Sequence, residues 1–215
     1  MKKVILSLLL LFVWIWFTFA HQPRLIFEQP AGQVVNIQNP EVSQAFYGNL
    51  VGQEDTYQII SETGFLLYVN IVIPAISGSR TDFTVDIIEW NIAVYTRLDG
   101  KWFTWTDFFE PFGWDMYLRW PSLEKQVGPG TYTIKVSNTD NQGKYSLAIG
   151  KLETFSAKEI FNTFKVMPGL KMVFFEKPWY MIFWNYVWLF LLVMIIVVVV
   201  VVWWGVKLIK SIRHR

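Results

Sequence analysis

Three acids, Asp107, Glu110 and Asp115, stand close together in the stretch KWFTWTDFFEPFGWDMYLRW, residues 101–120, where nine of twenty residues are aromatic. Two carboxylates on either side of a bound sugar can hydrolyse a glycosidic bond, and aromatic rings can hold that sugar by stacking. The same oxygens could also ligate calcium, but their spacing is not that of a calcium-binding loop. In β-rich proteins such acids more often accept loop hydrogen bonds. The other catalytic chemistries are poorly supplied. A serine or cysteine nucleophile needs a base, yet there is no cysteine and only two histidines, His21 and His214. Phosphate-binding glycine loops and zinc spacings are absent. If processing leaves His21 first, its α-amine and imidazole could chelate copper, but the second histidine such sites use would have to be His214, at the far end of the chain. No enzyme activity, cofactor or metal is expected.

The two ends decide where these residues are displayed. Lys2 and Lys3 precede an apolar run over residues 4–17 and then Thr18-Phe19-Ala20, the order of a secretory signal peptide cleaved after residue 20. Residues 179–206 carry no charge, and residues 187–206 alone would rise roughly 30 Å as a helix, enough for one transmembrane crossing. Trp179, Tyr180, Trp184 and Trp188 cluster at the start of this segment and Trp203 and Trp204 at its end, where amphipathic rings favour the headgroup level. Lys207, Lys210, Arg213 and Arg215 follow with no acid among them, so the tail, residues 207–215, is expected in the cytoplasm. The N-terminal domain is then outside, in a single-pass protein of the cell membrane.

All 17 acids lie between Glu28 and Glu176, whereas six of the 19 basic residues belong to the leader and the tail, so the exported part is net negative. The overall charge of +2 therefore reports topology and speaks against a nucleic-acid partner. An exported domain without cysteine must be held by its core alone.

Residues 21–150 are expected to form that domain. From residue 34 onward they read as short β-rich runs between turn residues: AFYGNLVG, DTYQIIS, GFLLYVNIVIP, DFTVDIIEW, IAVYTRLDG, GTYTIKVSN and GKYSLAIG. In TYTIKVSN the apolar Tyr132, Ile134 and Val136 alternate with polar neighbours, the mark of a strand with one wet face, as in antiparallel sheets. Asp99-Gly100 and residues 138–143 supply turn chemistry. The stretch GPGTYTIKVSNTDNQGKYSLAIG, residues 128–150, resembles the closing hairpin of bacterial pre-peptidase C-terminal (PPC) domains, and YGNLVGQEDTYQIIS, residues 47–61, is similar to their opening hairpin. The resemblance implies an antiparallel, jelly-roll-like β-sandwich that binds or supports and does not catalyse. It departs from the family in carrying no protease and in ending in an apolar span. Neither that family's calcium site nor its collagen site can be matched here residue by residue.

After Gly150 the pattern turns helical. Ser156 and Glu159 are spaced as a capping box, Ile160, Phe161, Phe164 and Met167 share one face, and Pro168-Gly169 is expected to end the helix. Residues 151–178 thus form a short amphipathic juxtamembrane segment. It is expected either to support the sandwich or to lie on the bilayer through Lys158, Lys165, Lys171 and Lys177. Within residues 101–120, Phe103, Trp105, Leu118 and Trp120 are expected inside, with Phe112 and Trp114 exposed at a loop tip as a contact patch. The chain reads as a membrane-anchored, non-catalytic binding or accessory module. Besides the lipid bilayer, its expected partner is a protein; the alternatives are a cell-surface glycan, or a stabilising role in a membrane complex or beside an exported protease.

Overall fold

The computed structural model describes residues 21–27, 29–90, 96–120, 122–154 and 156–213. The expected signal peptide, and His214 and Arg215, lie outside them. Among the described residues twelve strands make two sheets. The larger contains β1 (Gln22–Leu25), β3 (Gln44–Val51), β12 (Gln142–Ile149), β5 (Phe65–Pro74), β9 (Asp115–Arg119) and β8 (Thr106–Glu110), in that order, with β10 (Leu123–Val127) also paired to β5. The smaller contains β2 (Val34–Ile37), β4 (Asp55–Ser61), β11 (Gly130–Ser137), β6 (Thr84–Glu89) and β7 (Thr96–Asp99).

The long strand β5 shows why the sheets stack. Phe65, Leu67, Val69, Ile71 and Ile73 are buried, facing a core shared with Tyr57, Ile59, Val85, Ile87, Ile134 and Val136 of the other sheet. Tyr68, Asn70 and Val72 alternate to the outer face. One edge of β5 serves two partners, β10 over residues 65–69 and β9 over residues 72–74. Asn70 sits at the junction and donates to the Trp120 carbonyl at 3.0 Å, satisfying backbone that neither ladder reaches.

The two motifs read as hairpins are not hairpins. β3 and β4 go to opposite sheets, as do β11 and β12: β3 pairs with β12, and β4 with β11. Each connection arches across the core, because alternation reports which face is buried but not which strand lies alongside. Nor is every pair antiparallel. β1 and β3 are parallel, and so are β2 and β4, since in each case the chain crosses to the other sheet before returning. Gly48, opposite Tyr145 in the β3–β12 ladder, is required by close approach: a Cβ there would lie 2.5 Å from the tyrosine ring. That ring carries a hydroxyl 2.7 Å from the Tyr57 hydroxyl and 2.6 Å from Asp55, so these three groups satisfy one another.

Helix α1 (Ala157–Pro168) starts at Ser156, whose Oγ accepts from the Glu159 N–H at 3.3 Å. Glu159 completes no reciprocal cap; its carboxylate grips Arg24 of β1 through two bonds of 2.8 and 3.1 Å. Pro168-Gly169 does not end the helical path. Both residues keep right-handed helical angles, and the chain widens into a π-helical turn, Gly169–Phe174, closed by Phe175 N–H on the Leu170 carbonyl at 3.0 Å. A 3₁₀ turn, Trp179–Phe183, leads to α2 (Tyr186–Arg213). Among the described residues no helix is long and apolar enough to cross a membrane. Several side chains of α2, Phe190 among them, fall outside that description, whereas its backbone is continuous over 28 residues.

Candidate functional site

The outer face of the seven-stranded sheet is divided between a covered half and an open half. Over the covered half the segment that follows the sandwich lays Met167, Leu170, Phe174 and Phe175 on Ala45, Tyr47 and Tyr117. Phe174 meets Tyr47 edge-on at 5.0 Å, and Phe175 meets Tyr117 likewise at 5.0 Å. Of the apolar face expected on α1, Met167 is buried and Phe164 packs on this cluster, but Phe161 is 78% exposed.

The same segment carries the buried charges. Asp115, at the start of β9, is 1% exposed and accepts from Lys171 Nζ and from Lys177 Nζ, each at 2.6 Å. Lys171 is fully buried and also donates to the Gly113 carbonyl; Lys177 donates to the Trp114 carbonyl at 3.2 Å. Both ammonium groups lie over the Phe175 ring, at 5.8 and 5.3 Å. Beside them Glu110, cross-strand neighbour of Asp115, accepts from the backbone N–H of Phe112 at 2.8 Å and Gly113 at 2.6 Å. Burial pushes the Glu110 carboxyl above its ordinary pKa, against the pull of those two N–H groups. Burial likewise holds the Lys171 ammonium below the usual lysine value, and the neighbouring Asp115 charge opposes it.

These pairings bear on two of the alternatives left open by the sequence. Lys171 is not available to lipid, because the sheet encloses it and Asp115 neutralises it; Lys177 is mostly spent on the same acid. Asp107, Glu110 and Asp115 do not converge as a catalytic or calcium-binding trio. Asp107 sits on the strand face opposite Glu110, and among the described residues no group of His, Asp or Glu is arranged to hold a metal.

The β8–β9 hairpin tip also departs from the sequence reading. Phe112 is half-buried against the covered cluster and not exposed, because the two lysines draw the tip onto the segment beneath it. Trp114 is 41% exposed, with a positive φ of 60° that a four-residue loop imposes on a bulky residue, and its ring meets Phe109 edge-on at 5.5 Å. Trp120 is buried, and Phe103, Trp105 and Leu118 pack half-buried on the main core. Trp105 belongs to no strand; it follows a 3₁₀ turn, Gly100–Trp102, which leaves Trp102 85% exposed. Of the expected interfacial rings, Trp179, Tyr180, Trp184, Trp203 and Trp204 are exposed, and Trp188 is half-buried against Phe164 and Phe183. Lys207 stacks its ammonium over Trp203 at 5.1 Å, one turn earlier on α2.

The open half is a groove of about 400 Å³. Its floor is made of small side chains, Ala45, Ser146 and Ala148, and its walls include Tyr68, Phe108, Arg119 and His21. Arg119 lies 4.5 Å over the Phe108 ring and, among the described residues, forms no ion pair. Lys151 stands over Tyr68 at 5.7 Å on the rim and pairs with Glu124 at 2.9 Å. His21 is hydrogen-bonded to Ser43. The sequence offered no sign of this groove. Its floor comes from β3 and β12 and its walls from β5, β8 and β9, which only the sheet order brings together.

No family model matches the chain, and no curated relative does. Among solved structures it is similar to the pre-peptidase C-terminal domain of a collagenase from Bacillus anthracis, with 13% identity and a TM-score of 0.34, over 57% of this chain and 98% of that domain. A likeness at that level leaves the fold to be read from the strand pairing itself: two β-sheets followed by a short helical region.

Proposed function

We propose that the chain is a membrane-anchored, non-catalytic binding module that holds a partner protein outside the cell membrane in the open groove of its larger sheet. The observation that carries this reading is the division of one sheet face: the juxtamembrane segment seals half of it and leaves about 400 Å³ unfilled over a floor of small residues. That volume falls at the lower end of the size range of ligand pockets, and it suits a few side chains of an inserted segment. Arg119 stacked on Phe108, with Tyr68 across the groove, supplies the aromatic and arginine anchors that carry most interface energy.

The anchor in this reading is α2. Its uncharged residues 187–206 would rise roughly 30 Å, with exposed tryptophans at both ends and basic residues after it. With a leader cleaved after residue 20, the sandwich stands outside and the tail inside. A second reading, a glycan ligand, is favoured by the rings of Tyr68 and Phe108 beside the polar Asn70 and Arg119.

A photo-crosslinking residue at Tyr68, in cells that make the full chain, tests both readings. A protein adduct that forms from position 68, not from Trp102, and disappears with Arg119→Glu supports the first. Retention on a glycan array that the same variant abolishes, with no protein adduct, supports the second. Equal labelling from 68 and 102, with no glycan retained, refutes the groove as a site.

A further inference from the structure

The β8–β9 hairpin carries the core-facing side of its strands out past the sandwich core, where apolar side chains stay exposed. Phe109 and Met116 are cross-strand partners on the strand face that, at Leu118, turns toward the core. Near the tip they are 42% exposed each, and Trp114, packed on Phe109, is 41% exposed. A domain that ended there in water would be expected to carry charge on these positions. The tip is also held in place: Lys171 and Lys177 bind the carbonyls of Gly113 and Trp114 and the carboxylate of Asp115.

Lys177 sits two residues before Trp179, which is 66% exposed, followed by Tyr180 at 57%, Phe183 at 52% and Trp184 at 66%. The other exposed ring of the region belongs to α1: Phe161 is one turn from Phe164, which touches Trp188 at the start of α2 at 5.4 Å. Hairpin tip, 3₁₀ turn and α1 are therefore all tied to the residues around the start of α2. Trp and Tyr in such a ring, continuous with an apolar helix, match a bilayer interface and not a protein groove.

We infer that the tip of the β8–β9 hairpin, through Phe109, Trp114 and Met116, is a second membrane contact that seats the sandwich on the lipid headgroup layer around α2. The inference rests on the proposed crossing of the bilayer by α2. The occupant is the interface of that same bilayer, because the lysine clamp ties the tip to the last residues before the helix. The sandwich is then held at two points, its stem and its tip, which fixes its tilt and with it the direction in which the groove opens.

The chain has no cysteine, so single cysteines can be spin-labelled without background. The full chain is placed in nanodiscs of phosphatidylcholine and phosphatidylglycerol with labels at Trp114→Cys, Met116→Cys, Tyr180→Cys, Trp102→Cys and Val199→Cys. Expected is a loss of relaxation by a water-soluble nickel chelate, and a gain by oxygen, at 114 and 116 relative to 102, matching the label at 180. Using both 114 and 116 protects the test from failure of either variant to fold. If the label at 199 is in lipid while 114 and 116 are as wet as 102, the seating is overturned and the anchor stands. If the label at 199 is itself in water, the anchor reading fails, and the seating with it.

Discussion

The two faces of the seven-stranded sheet are built by opposite means. On the inner face of β5, Phe65, Leu67, Val69, Ile71 and Ile73 pack against the second sheet with no polar group of their own. The outer face is closed over half its extent by a segment that brings aromatic rings and also two lysines, and it buries their charge against Asp115. Aliphatic burial tolerates exchange among similar shapes, since its energy depends on area and fit. A buried charge cluster tolerates little, because removal of one member leaves the others unpaired. The inner face makes the fold, and the outer one sets how the stem is attached to it.

Removing Asp115 should therefore be the severest single change outside the core. Asp115→Ala strands the fully buried Lys171 and frees Lys177, and breaking such a cluster costs about 3 to 5 kcal/mol. Ile71→Ala, which empties a site at 0% exposure on the inner face, should cost about 2 to 5 kcal/mol. The two separate in partnered variants. Lys171→Met added to Asp115→Ala should restore part of the loss in thermal melts, whereas added to Ile71→Ala it should deepen the loss, since Asp115 then lacks a partner. Identical behaviour would mean that the outer face is only another apolar contact.

The inner face was legible in the sequence because period-two alternation reads directly onto burial: Tyr132, Ile134 and Val136 are all buried, as their spacing in TYTIKVSN requires. Pairing was not legible, since nothing in a strand's own residues says whether the next strand lies beside it or across the core. The clamp was hidden for a related reason. Lys171 stands alone in an otherwise apolar run, residues 170–175, and its partner Asp115 stands 56 residues away. The groove was hidden because its floor is marked by the absence of large side chains.

Gly113 offers a finer perturbation of the same contact. A Cβ there would lie 2.5 Å from an oxygen of Asp115 and 3.0 Å from one of Glu110. Gly113→Ala should thus force the hairpin tip off the lysines at a cost of about 1 to 3 kcal/mol. The loss should appear together with faster proteolysis in the Glu176-Lys177 stretch. A variant as stable and as resistant as the parent would show that the tip is not held from below.

The charge cluster should also leave a signature in pH. Burial raises the Glu110 pKa above its unfolded value. Between those two values the folded protein holds a proton that the unfolded chain has released, so this group's contribution falls as pH rises through that window. Asp115 and Lys171 face Glu110 electrostatically, but the Lys171 value, lowered by burial, bears on the window below the ordinary lysine value, where stability rises with pH. Glu110→Gln keeps an oxygen for only one of the two N–H groups of Phe112 and Gly113, so it lowers stability at every pH while removing the titration. The decline in melting temperature expected as pH rises above the ordinary carboxylate value should then be absent, with the alkaline limb unchanged.

The smallest effect on stability is expected in the open half of the outer face. Arg119 is exposed, lies over Phe108 and, among the described residues, pairs with no acid, so Arg119→Ala should change stability within about 0.5 kcal/mol. If the covered half serves structure and the open half serves recognition, this variant should melt like the parent while losing the adduct formed from position 68. Phe108→Ala sharpens the comparison, because Phe108 lines the groove and also packs on the covered cluster. It should lose both stability and capture. Should Arg119→Ala instead lower the melting temperature as much as Phe108→Ala, the open half would be unfinished packing surface, and the division of the sheet into a structural and a recognising half would fall.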